Sequence, residues 1–141
     1  MTKKSNVRAR AAELQPRLSQ AADRLNSKIA AFEEELSSLN LGVAATVRLF
    51  EDDTEPLGLD LEFRKHAGRW RLLVNHWDDG RDHADRAPLV GASRELRLDA
   101  VALFPKLLES LLAASEQELA RIDASAASVD SLIASMKTGD S

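Results

Sequence analysis

The fold is decided by the stretch Leu57-Gly58-Leu59-Asp60-Leu61-Glu62-Phe63-Arg64-Lys65-His66-Ala67-Gly68-Arg69-Trp70-Arg71-Leu72-Leu73-Val74-Asn75-His76-Trp77. Leu57, Leu59, Leu61 and Phe63 alternate with Gly58, Asp60, Glu62 and Arg64. Trp70, Leu72, Val74 and His76 alternate with Arg71, Leu73, Asn75 and Trp77. Period two is the signature of a strand with one face in the core. Between the runs, Lys65 to Arg69 is a tight connection with Gly68 where a positive φ is required. Upstream, Val43, Ala45, Val47 and Leu49 alternate with Ala44, Thr46, Arg48 and Phe50, and an acidic loop from Glu51 to Pro56 follows. The three runs predict a three-stranded antiparallel meander. One face packs inward, and the other is mixed and carries Phe50, Leu73 and Trp77, which either form a contact patch or lie under the stretch over 78–92.

Outside the meander the period changes. Leu18, Ala22, Leu25, Ile29, Phe32, Leu36 and Leu39 step by 4 and 3, a heptad seam on a helix. Pro16 sits in its first turn or interrupts a longer helix beginning near Arg8. Asn40-Leu41-Gly42 is a C-terminal stop. A helix over residues 17–39 is about 35 Å long. Beyond an irregular stretch over 78–92, Ser93 reads as an N-cap with Glu95 in the first turn. Leu96, Ala100, Leu103 and Leu107 continue at helical spacing, and Pro105 kinks or splits the segment. A second seam then runs through Leu108, Leu112, Ser115, Leu119, Ile122, Ala126, Val129, Ile133 and Met136. The expected class is α+β in the order α-β-β-β-α, with two long antiparallel helices and the meander. Residues 1–141 form one domain on this reading, with polar tails at 1–8 and 137–141. Leu25, Ile29, Phe32 and Leu36 on the first helix, and Leu119, Ile122, Val129 and Ile133 on the second, are the seam residues. Two such helices bury one stripe each, so a homodimer that closes a four-helix bundle is expected.

Composition agrees with a helical frame and removes several chemistries. Of the 141 residues, 22 are Ala and 22 are Leu, the strongest helix formers. The chain has no cysteine, which excludes disulfide scaffolds, cysteine-ligated zinc and thiol catalysis. The net charge of −4 argues against a globally basic nucleic-acid binder. No run is long and apolar enough for a membrane helix, and the charged N-terminus lacks the apolar core of a secretory signal. A cytoplasmic location, with no membrane partner, is the expectation.

Candidate chemistry is sparse. His66, His76 and His83 do not have zinc spacing, and no metal site is expected, although His76 and His83 flank Asp78, Asp79, Asp82 and Asp85. Asp78-Asp79-Gly80 lacks the ligand alternation of a calcium loop. The glycines are scattered and form no phosphate loop, and no nucleophile motif occurs. Asp60 and Glu62 read as ordinary solvent-facing carboxylates. No cofactor is expected, and the chain reads as a non-enzyme. The hairpin tip is more suggestive. Arg64, Lys65, Arg69, Trp70 and Arg71 place four cations and an indole within eight residues, a pattern that binds phosphates and stacks bases. The plainer reading has these arginines paired with acids and Trp70 pointing into the core.

The runs Gly68-Arg69-Trp70-Arg71-Leu72-Leu73-Val74, Pro88-Leu89-Val90-Gly91-Ala92-Ser93-Arg94-Glu95-Leu96-Arg97 and Pro105-Lys106-Leu107-Leu108 cover much of residues 57–112. This pattern resembles small uncharacterised bacterial proteins in which a Trp-bearing strand leads into a Ser-Arg helix start and a long Leu-rich helix. The resemblance implies no activity. It draws notice to Arg94 and Arg97, on one side of the helix start, which either tie the helix to Glu62 or Asp60 or recognise a partner. The leading functional expectation is a non-enzymatic protein-interaction or accessory module that homodimerises through its helices and holds an unknown protein partner. One alternative is a nucleic-acid-associated regulatory module using the basic hairpin. Another is a small inhibitor or accessory factor of a bacterial conflict or mobile-element system.

Overall fold

The computed structural model describes residues 3–52, 57–78 and 85–139, with side chains from Asn6 onward. A 36-residue helix α1 (Lys3–Ser38) leads into strands β1 (Ala45–Asp52), β2 (Leu57–His66), β3 (Arg69–Asp78) and β4 (Asp85–Pro88). A single 3-10 turn (Leu89–Gly91) joins β4 to α2 (Arg94–Ala102), and α3 (Phe104–Thr138) completes the chain. The strands form one antiparallel sheet in the order β1-β2-β3-β4.

The turn chemistry acts where the residues demand it. Ala67 (φ 52°) and Gly68 (φ 81°) make a two-residue hairpin loop with both central residues left-handed, which matches the twist of the flanking strands. Asn40 (φ 54°) and Gly42 (φ 68°) end α1. The Ser93 hydroxyl accepts from the Leu96 amide at 3.2 Å and caps α2. Pro105 lies in the first turn of α3, so the second helical segment divides at Leu103. Pro16 stands inside α1, which begins at Lys3, within the stretch read as a polar tail.

Three expectations are corrected. The sheet has a fourth strand, β4, inside the stretch read as irregular, and there are three helices rather than two. The long helices also do not pair along their seams. α1 lies against β3 and the 3-10 turn, whereas α3 lies against β1 and β2. They meet where Phe32 stacks on Phe104 at 4.3 Å. The sheet competes for their apolar faces and wins, because Ala45, Val47, Leu61, Phe63, Leu72 and Val74 all project from one side of it. Ile29, Leu36, Ala100, Leu107 and Leu111 close the core from the helical side. Leu25 and Phe32 are half-buried at its margin. Beyond the end of β4, the Leu72 amide at the sheet edge donates to the Glu33 carboxylate of α1 at 2.8 Å, which satisfies an edge donor and fixes the helix to β3.

Burial stops partway along both helices. Every described side chain from Asn6 to Ala21 of α1 and from Leu119 to Gly139 is exposed. The chain exposes 10371 Å². A compact monomer of this mass exposes about 7,200 Å². The excess of roughly 3,000 Å² comes from helices that run past the sheet they pack on.

Candidate functional site

Two surfaces stand out: the sheet face turned away from the helices, and the outer halves of the long helices. Alternation places Thr46, Arg48, Asp60, Glu62, Arg64, Arg71, Leu73, Asn75 and Arg86 on the first of these. No helix packs on it among the described residues. Its acids are nevertheless buried, Glu62 at 4% and Asp60 at 8% exposure, which corrects the reading of both as solvent-facing. Arginine stems cover them. Arg86 Nε donates to Glu62 at 2.7 Å, and Arg64 stands 3.9 Å away. Thr46 Oγ1 donates to the same carboxylate at 3.4 Å. Arg48 Nε donates to Asp60 at 2.6 Å, and Trp77 Nε1 donates to the same oxygen at 3.3 Å.

Leu73 is fully buried, so it offers no contact patch. Its cross-strand neighbours are Glu62 and Pro88, and Arg71 and Asn75 flank it along β3. Trp77 is half-buried, with the Arg48 guanidinium 4.6 Å from its ring centroid. Gly58 lies directly opposite Trp77, and a Cβ there would stand 2.5 Å from the indole. Of the predicted patch Phe50 is the exposed member, past the irregularity where β1 carries an extra residue opposite Leu59.

The basic hairpin is dispersed. Trp70 stacks on Phe63 at 5.5 Å on the core side, so its face is not offered to a base. Arg69 lines a cleft with Glu33 and Glu34 of α1. Lys65 is exposed at the tip. Arg64 and Arg71 remain together, directly opposite across β2 and β3, and Arg71 Nε is buried without a hydrogen-bond partner among the described residues. Arg97 does not reach the sheet. It binds the Asn26 side chain of α1 and joins α2 to α1, because α2 packs on the core side of the sheet whereas Glu62 and Asp60 lie on the face turned away from the helices. Arg94 is exposed at the start of α2. No group of metal-ligating side chains assembles among the described residues, and Asp79, Asp82 and His83 lie outside them. No described helix is long and apolar enough to cross a membrane.

On the helices, the four inner seam residues behave differently from the four outer ones. Ile29 and Leu36 are buried and Leu25 and Phe32 half-buried, whereas Leu119, Ile122, Val129 and Ile133 are 44% to 60% exposed. The apolar spacing also reaches further back along α1 than its core contacts. Val7, Leu14 and Leu18 continue it and are exposed. Between Leu25, Ile29 and Phe32 on one side and Val101, Phe104 and Leu108 on the other lies an open apolar groove. The chain matches no family model, no curated protein and no solved structure.

Proposed function

We propose that the protein is a non-enzymatic interaction module that works as a homodimer joined through α1 and α3. The observation that carries this reading is the apolar seam of the outer helices. Leu119, Ile122, Val129, Ile133 and Met136 continue, without a break in spacing, the series that leaves the core at the half-buried Leu108, and they are exposed in a single chain. Isolated helices of this kind are marginal in water, and burial of an apolar stripe stabilises them. The excess surface of roughly 3,000 Å² exceeds the ~800 Å² per partner of a standard interface, so a second copy has ample area to cover. The sheet face, with its fixed arginine and carboxylate pairs, faces away from this interface and is the surface a further protein partner would meet. Light scattering on the eluting protein over a range of concentrations tests the reading. A mass twice the 15.4 kDa of one chain is expected, and a strict monomer at all concentrations contradicts it.

A second reading is a nucleic-acid-associated module, favoured by one observation. Arg64 and Arg71 face each other across two strands, an arrangement of like charges that costs stability unless an anion relieves it. It predicts binding to single-stranded DNA or RNA that weakens steeply with salt and is lost in Arg64→Ala/Arg71→Ala. Absence of binding at low salt removes it.

A further inference from the structure

We infer that α1 of one copy packs along α3 of the other, rather than each helix on its own counterpart. The inference rests on the homodimer proposed above and assigns its pairing. It starts from two columns of charge. Arg10, Arg17 and Arg24 recur every seven residues along one border of the α1 seam formed by Val7, Leu14 and Leu18. Glu109, Glu116, Asp123 and Asp130 recur every seven residues along one border of the α3 seam formed by Leu112, Leu119, Ile122 and Val129. All seven charges are exposed, and none makes an ion pair among the described residues.

Charges that flank a heptad seam select the partner helix. α1 on α1 of a second copy, or α3 on α3, makes no favourable match: antiparallel pairing sets like charges together, and parallel pairing sets each column against the other border of the seam, which lacks the opposite column. α1 laid parallel on α3 sets opposite columns together, because borders on opposite sides of the two seams meet between parallel helices, at the same repeat of about 10.5 Å on both. In an isologous dimer the match is made twice. The pairing is not made within one chain, where the contact between the two helices is at Phe32 and Phe104 and the outer residues stay exposed. The apolar groove between Ile29, Phe32, Phe104 and Leu108 is continuous with both outer seams, and Lys28 at its rim extends the basic border. The groove and the outer seams thus form one apolar track for the helices of a second copy.

Two triple variants test the assignment, with sedimentation velocity at low salt as the readout. One carries Arg10→Glu, Arg17→Glu and Arg24→Glu. The other carries Glu116→Lys, Asp123→Lys and Asp130→Lys. The substituted side chains are exposed, so circular dichroism is expected to show the helix content of the parent diluted below its dissociation constant. Each variant alone should self-associate about 100-fold more weakly than the parent, and an equimolar mixture should recover the parental affinity, because the mixture restores opposite columns at both contacts. If each variant alone dimerises as tightly as the parent, like helices pair with like, and the assignment falls while the homodimer stands. Loss in both variants without recovery on mixing also overturns the assignment. A monomeric parent removes the homodimer itself.

Discussion

Replacing Ile122 and Val129 together by glutamate should leave the protein monomeric at concentrations where the parent is a dimer. Both side chains are more than half exposed in a single chain, at 57% and 53%, so neither contributes to its core. In the dimer each is covered, and a two-fold assembly loses both from each copy. At about 1 kcal/mol for each half-exposed aliphatic side chain, four lost burials weaken association by about 4 kcal/mol. That is roughly a thousandfold rise in the dissociation constant. Four new carboxylates in an apolar seam add a desolvation cost to this. The sheet and its core should be untouched. The fluorescence of Trp70 and Trp77, both in β3, should match that of the parent. Sedimentation equilibrium with matched spectra checks both halves of the expectation. An unchanged dissociation constant would show that the outer α3 seam is not at the interface.

Leu107→Ala should have the opposite character. Leu107 lies on the same helix but has no exposed surface, and it packs in the cluster with Leu61, Phe63 and Leu111. Truncating such a residue costs about 2–5 kcal/mol, the transfer loss plus the cavity left behind. That is a large part of the 5–15 kcal/mol that stabilises a typical domain. The loss should appear in urea unfolding as a lower midpoint at every protein concentration. The shift of the midpoint with concentration, which reports association, should stay parental. The two variants therefore separate the role of α3 within one chain from its role between chains, using residues four turns apart.

Much of the fold was legible because local signals were strong and agreed with one another. The alternation over Leu57 to Trp77, the left-handed Ala67-Gly68 turn, the stop at Asn40, the cap at Ser93 and the break at Pro105 each have a short-range cause. β4 was not legible, because four residues are too few to display a period. Its proline, a poor strand residue elsewhere, is tolerated on an edge strand where no partner needs its amide. The pairing of the helices was misread for a different reason. The same 3 and 4 spacing describes Ile29, buried on the sheet, and Ile133, left uncovered. Periodicity shows that a face is apolar and is silent on what covers it.

The candidate site was less legible still. Alternation places Leu73 on the face opposite Leu72, but it does not say whether that face is a contact patch or lies under the stretch over 78–92. Leu73 is buried there, and Arg48 and Arg86 hold the buried Asp60 and Glu62 carboxylates. The destination of Arg97 depended on which side of the sheet α2 packs on, since Glu62 and Asp60 lie on the opposite one. The exposed heptad columns of Arg10, Arg17 and Arg24 and of Glu109, Glu116, Asp123 and Asp130 are present in the sequence. Their meaning required knowing that the helices are not partnered within one chain.

In the proposed dimer a second copy covers the outer halves of α1 and α3. Amide hydrogen exchange over residues 7–21 and 119–136, followed as a function of protein concentration, tests it most directly. The account predicts slow exchange in both segments above the dissociation constant and fast exchange below it, while β2 and β3 stay protected throughout. Fast exchange in both helical segments at every concentration would contradict it.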